Sequence, residues 1–444
     1  MISNLILKKN ILEKKFLEFW LIILLPVCAI FSIFILELFL IVLSLSFILR
    51  NIFFPEKKYF INKFTIVFFF FYLYLFLRYL FSEHYDHENY LFIIFYFRFG
   101  LYVITVYYFL SKINNLENSF YRSIVFCVIA LLIDGFIQFY TGKNIIGYEL
   151  IDGNRVSSFF GEESILGSYL LKILPFLYIF LFYNKNSNKN IFFIFFIIIL
   201  TNVLIFISGE RASFILMLLM TLYFLFMIKK LRKIKFFSII VMSSIIIFIF
   251  INSDGTQKRY LQTIKEVIKT ENLSIFSENF TEEEKIEANR VNTEILDPKF
   301  TIGDLYILTP THHNYFLTSI NMFKDKKFIG HGPKSFRNLC KDQNYSINRN
   351  SCSSHPHNYY IQLLAEFGFL GFIVPFLVFI FFCIKIIKLY FKNQNNYIFT
   401  CLYVFMLINL WPITSTGNFF NNWISILIYI PFSFYLYYLE KKHE

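Results

Sequence analysis

The feature that most constrains this chain is the recurrence of apolar runs long enough to cross a hydrocarbon core, for which about 20 helical residues suffice. Such runs read at 17–33, 34–50, 64–81, 91–110, 120–140, 165–183, 191–208, 212–228, 235–251, 365–384, 397–411 and 421–438, twelve in all. In lipid every backbone N–H and C=O must be satisfied internally, so each run is expected to be a helix. The expected fold class is an all-α polytopic membrane protein of about 12 transmembrane helices, the first two forming a hairpin that turns near Ser32 to Glu37. Composition enters only as a check: 57% of the residues are hydrophobic and 16% charged, with 63 Phe and 30 Tyr. A soluble core could not bury that much apolar side chain, so a soluble protein is ruled out. Most of the Phe is read as lipid-facing bulk.

The formal net charge of +12 would suggest nucleic acid in a soluble protein. In a membrane protein Lys and Arg report orientation instead, so their positions matter more than their sum and no nucleic-acid partner is expected. With the amino terminus inside, 22 of the 42 Lys and Arg face the cytoplasm, among them Lys8, Lys9, Lys14, Lys15, Lys57, Lys58, Lys441 and Lys442. Only 3 (Lys143, Arg155, Arg211) fall in short outer loops, 3 lie within spans, and 14 lie in one long outer loop, which is exempt from the rule. Both termini are therefore expected in the cytoplasm. The expected organisation is 1–251 as spans one to nine, 252–360 as a periplasmic loop and 361–444 as the last three spans. The run after Lys14 and Lys15 continues into a second span without a small-residue cleavage site, so the first span is expected to be retained.

The loop 252–360 is the only sizeable polar segment, hence the candidate for chemistry. Its spacing predicts a helix over Thr256 to Thr270, an acidic stretch at 271–300, and a second helix over Tyr315 to Lys324 ended by Gly330-His331-Gly332-Pro333. Four cysteines fall in spans, while Cys340 and Cys352 share the loop. On an oxidising face these two are expected to form a disulfide that clamps the backbone before His355.

Charges inside a bilayer are costly and mark function or a structural ion pair. Arg78, Arg98, Lys172 and Asp134 all fall in the outer halves of their spans, and Arg155 and Arg211 lie at the outer edge, against the positive-inside trend. Jointly the cations would line a cavity for a strongly anionic group such as a diphosphate. Individually, Arg78 and Lys172 could snorkel to head groups and Arg98 could pair with Asp134. Ile207-Ser208-Gly209-Glu210-Arg211-Ala212-Ser213 joins two spans through a very short outer turn, which would hold Arg211 firmly with Glu210 to orient it. Asp152-Gly153-Asn154-Arg155, followed by Glu162 and Glu163, is a second outer loop combining an Arg with paired carboxylates, read either as part of the site or as an interfacial salt bridge.

Ser354-His355-Pro356-His357-Asn358 places His357 at the membrane surface just before the tenth span. A zinc site needs three or four ligands, and His312, His313 and His331 show no regular ligand spacing, so no metal is expected. A neutral His near pH 7 can act as general base on a sugar hydroxyl while Arg residues stabilise charge on a diphosphate leaving group, with no cofactor.

These residues resemble the O-antigen ligase and O-antigen polymerase family, multispanning glycosyltransferases. The ligase pattern His-[Asn/Ser/Gln]-x9-Gly-x-x-[Gly/Thr/Tyr] is met by His357, Asn358, Gly368 and Gly371. Ser208 to Ser213 is similar to the family's short-turn Arg segment, and Met322 to Asp325 with Phe328 to Pro333 and Phe336 is similar to its loop helix and Gly-x-Gly element. The similarity runs from about 155 to 375. It implies a Gram-negative inner-membrane enzyme of lipopolysaccharide biosynthesis that takes glycan from an undecaprenyl-diphosphate carrier on the periplasmic face, with no cofactor. His357 and Arg211 would be catalytic; Arg155, Arg98, Lys172, His312 and His313 would bind diphosphate; Glu210, Glu162, Glu163, Asn358, His355, Gly368 and Gly371 would support them. Many relatives carry an Arg where this chain has His312, and His312, His313, Arg290, Arg259 or Arg155 could take its place. A ligase with a lipid A-core acceptor and a polysaccharide polymerase both fit the motif. A transporter of lipid-linked glycan is the reading from another class, disfavoured because carriers place polar residues near the midplane of broken helices. Besides donor and acceptor, membrane lipids are the expected partners.

Overall fold

The computed structural model describes residues 15–82, 91–183, 188–267, 301–302, 305–306, 310–348, 351–392 and 396–443. Lys8, Lys9, Lys14, Arg290, the acidic stretch 271–300 and the end of the helix expected at 256–270 lie outside the described residues. Regular structure among the described residues is α-helical apart from a 3-10 turn at Ser158–Phe160, two isolated β-bridges and one hairpin of two-residue strands. In order it runs α1 (Phe16–Phe31), α2 (Ile33–Phe53), α3 (Lys57–Phe60), α4 (Lys63–Leu80), α5 (Leu91–Ile94), α6 (Phe97–Lys112), α7 (Leu116–Thr141), α8 (Leu166–Tyr183), α9 (Asn188–Ile207) and α10 (Arg211–Met227). There follow α11 (Arg232–Asn252), α12 (Asp254–Val267), β1 (Thr301–Ile302), β2 (Leu305–Tyr306), α13 (Pro310–Asp325), α14 (Ser335–Leu339), α15 (Tyr359–Phe391), α16 (Tyr397–Asn409) and α17 (Asn422–His443). β1 and β2 pair antiparallel, Thr301 opposite Tyr306.

Eight helices are long and apolar enough to cross a membrane: Ile33–Phe53, Lys63–Leu80, Phe92–Lys112, Leu116–Thr141, Asn190–Ile207, Arg232–Asn252, Tyr359–Phe391 and Asn422–Lys442. The protein is therefore a polytopic helical membrane protein, with eight spans of that length rather than twelve among the described residues. The other four runs fold as shorter apolar helices, Phe16–Phe31, Leu166–Phe182, Arg211–Met227 and Tyr397–Asn409.

The first apolar run does break at Ser32. Its backbone is extended (φ −161°) and its hydroxyl accepts from Ile35 N–H at 3.3 Å, capping α2. The turn is antiparallel, because Arg50 near the end of α2 reaches Glu18 near the start of α1 at 2.6 Å. Lys15 donates to Lys112 O, Lys112 pairs with Glu56, Lys58 with Glu440, and Lys441 with Glu117. Both described ends of the chain thus meet at one end of the bundle. Its centre is α6 against α17, joined by Tyr96 and Tyr429, whose hydroxyls lie 3.1 Å apart.

At the other end, buried polar residues tie connections to helices. Asp134 on α7 accepts from Ser158 Oγ at 2.6 Å and Ile145 N–H at 2.9 Å, while Gln138 accepts from the N–H groups of Ser157 and Ser158. This pair folds residues 142–158 back over α7. Arg98 is bound elsewhere, to Glu37 at 3.1 Å and Asn422 at 2.7 Å, so it does not pair with Asp134.

α15 is two helices joined at Gly368, whose φ of 64° and ψ of −166° are open essentially only to glycine. The chain 327–332 crosses this kink with backbone pairing on both sides: His331 N–H to Ala365 O, Gly332 N–H to Glu366 O, Phe369 N–H to Lys327 O and Leu370 N–H to Phe328 O, at 2.7–3.2 Å. Gly330 and Gly368 face each other so closely that a Cβ on either would lie within about 2.5 Å of the other strand's backbone. Buried Arg78 completes the crossing by donating to Ile329 O, Gly330 O and Phe81 O at 2.7–2.8 Å. It neither snorkels nor lines a cavity; it satisfies a turn's carbonyls.

Candidate active site at the loop end of the bundle

The site is assembled from three connections that this end brings together: the short turn 208–211, the segment 310–357 and the link between α16 and α17. The turn is held by Glu210. Its carboxylate accepts from the N–H groups of Gly167 and Ser168, from Ser168 Oγ at 2.6 Å and from Ser213 Oγ at 3.1 Å. The first N–H groups of a helix lack partners within it and carry the positive end of its dipole, so Glu210 locks the turn onto α8. Gly209, at φ 68°, lets Arg155 lie against the turn, and Arg155 Nε donates to Ser208 O at 3.3 Å. Arg155 also lies 3.9 Å from Asp152.

Arg211 follows as the first residue of α10. Tyr260 of α12 closes this side by stacking on Phe206 at 4.7 Å and donating to Phe206 O at 2.9 Å. Burial pushes the Tyr260 hydroxyl up, and the charges of Arg259, Arg211 and Arg155 oppose that shift while Glu210 adds to it.

The histidines come from the loop. Helix α13 starts at Pro310, five residues before the expected Tyr315, because Pro suits the first helical position. His312 and Tyr315 therefore sit one turn apart on a common face. The His312 ring lies 5.3 Å from that of His357, edge to face, and Tyr315 stacks on His357 at 5.6 Å. His355 is closer, 4.1 Å from His357. Cys340 and Cys352 are joined by a disulfide, which ties α14 to the residues just ahead of the histidines. Asn358 caps α15 by accepting from Tyr360 and Ile361 N–H, and directs its amide to Pro412 O and Thr414 O. His357 itself has a φ of 56°, an unusual conformation for a side-chain-bearing residue.

Each histidine carries a hydroxyl: Ser353 Oγ at 3.2 Å from His357 Nε2, Ser354 Oγ at 2.9 Å from His355 Nδ1, and Ser415 Oγ at 3.3 Å from His312 Nε2. Desolvation lowers the pKa of all three imidazoles. His312 is pushed down to about 4 by burial first, then by His357 and Arg211; His355 falls to about 4 by burial and His357; His357 is lowered by burial. They are neutral at pH 7. The effect of Arg211 on His312 links the histidine group to the guanidinium group.

Other expected residues fall elsewhere. Lys172 donates to Asn409 at 2.8 Å, Arg98 is held by Glu37 and Asn422, Glu162 and Glu163 are exposed, and His313 is buried. Gly368 and Gly371 act through the α15 kink and its packing. His331 is buried, with Nε2 2.9 Å from Met322 O. Among the described residues no group of three or more His, Cys, Asp or Glu is arranged to hold a metal. Sequence reasoning missed Tyr260, Tyr315, Ser353 and Ser415. The Thr-Ser-Thr run at 414–416, polar beside a span end, was the signal for the last.

Residues 193–376 match the family model described as O-Antigen ligase. Over these residues the chain is similar to the O-antigen ligase/polymerase family. The match covers α9 to the middle of α15, hence the Arg211 turn, the loop, His357 and the Gly368 kink, and leaves out Arg155 and the α16–α17 link. No curated protein matches the chain. The family implies glycosyl transfer of the O-antigen ligase or polymerase type, with lipid-linked glycan as substrate, in a multi-pass bacterial membrane protein.

Proposed function

We propose that this protein transfers glycan from an undecaprenyl-diphosphate donor to an acceptor hydroxyl at the periplasmic face of the inner membrane, as a ligase with a lipid A-core acceptor and without a metal. The observation that carries this reading is the approach of His312 to His357, their rings 5.3 Å apart, with Arg211 near enough to lower the His312 pKa. His357, neutral and half-buried, takes the proton from the acceptor hydroxyl. The freed oxygen forms the new bond to the anomeric carbon as the bond to the diphosphate oxygen breaks. The electron pair leaves with the diphosphate, whose added charge the guanidiniums stabilise. His312, uncharged, offers a neutral hydrogen bond where relatives carry a cation.

The test uses purified protein, undecaprenyl-diphosphate-linked donor and two acceptors, lipid A-core and a second carrier-linked glycan. His357→Ala and Arg211→Ala should each lose transfer, with chelators without effect. Near wild-type turnover by His357→Ala, or inhibition by EDTA, would sink the mechanism. Transfer only to the carrier-linked glycan would make the protein a polymerase.

A further inference from the structure

The link between α16 and α17 lies outside the matched residues, yet it touches both His312 and His357. Ser415 Oγ lies 3.3 Å from His312 Nε2. The next residue, Thr416, donates its N–H to the backbone carbonyl of His357 at 2.8 Å. Two adjacent residues therefore hold two histidines from different parts of the chain, the His312 ring from α13 and the His357 backbone from the segment before α15.

The link is itself firmly anchored. Asn358 donates to Pro412 O at 2.7 Å and Thr414 O at 3.0 Å, and Tyr360 to Leu410 O at 2.6 Å. Gln362 donates to Asn418 Oδ1 at 3.1 Å and accepts from Phe419 N–H at 3.0 Å. Behind it, α17 packs against α6 at the centre of the bundle.

We propose that residues 414–416 are a clamp that registers the histidines against the membrane bundle, with Ser415 as a positioning residue for His312. The inference rests on the transfer reading for its kinetic consequence but not for its geometry. The reasoning is one of placement. His312 rides on a helix of the long loop, and His357 holds a φ of 56° that its own segment would not choose. A misplacement of about 1 Å between reacting groups costs on the order of 10²-fold in rate. The Thr416 N–H fixes the carbonyl of His357, and the Ser415 hydroxyl fixes which way the His312 ring turns. Loss of such a supporting partner commonly costs about 10- to 100-fold in a metal site, and a similar loss is expected here.

The experiment compares Ser415→Ala, Ser415→Thr and Thr416→Pro in the full-length protein, reading transfer kinetics and, independently, the rate at which diethyl pyrocarbonate modifies His312, by peptide mass spectrometry. Ser415→Ala should lower kcat about tenfold or more with little change in acceptor KM, move the acid limb of the pH profile, and speed modification of His312. Ser415→Thr, which keeps the hydroxyl, should restore both readouts. Thr416→Pro, which deletes the N–H, should lose transfer while the protein still melts as one folded species. If Ser415→Ala matches wild type in turnover and in His312 modification, the clamp is wrong. If the wild type and His357→Ala transfer equally well while His312 still responds to Ser415→Ala, the clamp stands and the transfer mechanism falls.

Discussion

Gly368→Ala probes the joint on which the histidine geometry depends. At φ 64° and ψ −166° an alanine is strained by roughly 2 kcal/mol. Its Cβ would also lie 2.4 Å from Phe328 C and O and 2.5 Å from Ile329 N, where ordinary contact begins at 3.4 Å. Backbone has no rotamer to give, so the crossing strand must move by about 1 Å. Four backbone hydrogen bonds span the crossing. Losing half of them at about 1 kcal/mol each brings the total to about 4 kcal/mol. At 1.4 kcal/mol per tenfold, the open form of 327–332 gains about three orders of magnitude in population. That strand joins α13, which carries His312, to α14 and its disulfide, which hold His355 and His357. Transfer should therefore fall steeply although Gly368 touches none of the three histidines. Hydrogen exchange of residues 327–332, read with transfer activity, checks the chain of reasoning. Phe328→Ala, which trims an exposed side chain from the same strand, should stay within about 0.5 kcal/mol of wild type. Unchanged exchange protection and unchanged transfer in Gly368→Ala would refute it.

Arg211→Ala should cost on the order of 10² to 10³ in transfer rate, and Arg211→Lys should recover little because the two-pronged hydrogen bond is lost; single-turnover kinetics with labelled donor decide. The depressed imidazoles make stability depend on pH with a definite sign. Because His312 and His355 sit near 4 when folded and 6.5 when unfolded, their contribution is present above pH 6.5 and is lost as pH falls toward 4, so melting temperature should drop across that window and drop less in His312→Gln. Cys340→Ser with Cys352→Ser removes a loop closure worth about 3 kcal/mol, which should loosen 353–357 and lower transfer more than overall stability; proteolysis of the segment before His355 reads the loosening. An alkaline phosphatase fused after Asn292 should be active and one after Lys392 inactive, and the opposite pattern would place the site on the wrong face.

Helices were the most legible part of the sequence, since a run of apolar residues in lipid leaves the backbone few other options. Even the break at Ser32 falls within the expected turn. Legibility fails where a polar side chain has several possible partners. Arg78, Arg98, Lys172 and Asp134 stood out correctly as costly, but periodicity says nothing about what they reach, and all four satisfy carbonyls, amides, hydroxyls or a carboxylate of the scaffold. Arg211 was placed with better reason, because a turn of a few residues between two spans leaves its side chain little freedom. His312 and His357 were named from motif and spacing, yet their approach across 45 residues of sequence depends on the Gly330–Gly368 crossing and the disulfide, which are contacts between distant segments. Ser415 stands in a polar run beside a span end, yet nothing near it in the chain signals that the link between α16 and α17 lies beside a helix of the long loop.

The same arrangement bears on how a base and a leaving group could be matched in the proposed transfer. His312 is held neutral by burial, by His357 and by the positive charge of Arg211, while burial does the same for His357. A neutral imidazole is ready to accept a proton, but one whose pKa lies far below the working pH is a weak base. A bound diphosphate would place negative charge against the guanidiniums and so cancel part of the field that opposes imidazolium formation. The proton affinity of His312 would then rise as the donor binds, and rise again as charge builds on the leaving diphosphate. Arg211→Ala should accordingly do two things at once: slow the chemical step, and move the acid limb of the pH profile of free enzyme upward, since His312 no longer feels that cation. A slowed step with an unmoved limb would separate the two roles and show that burial alone sets the histidines.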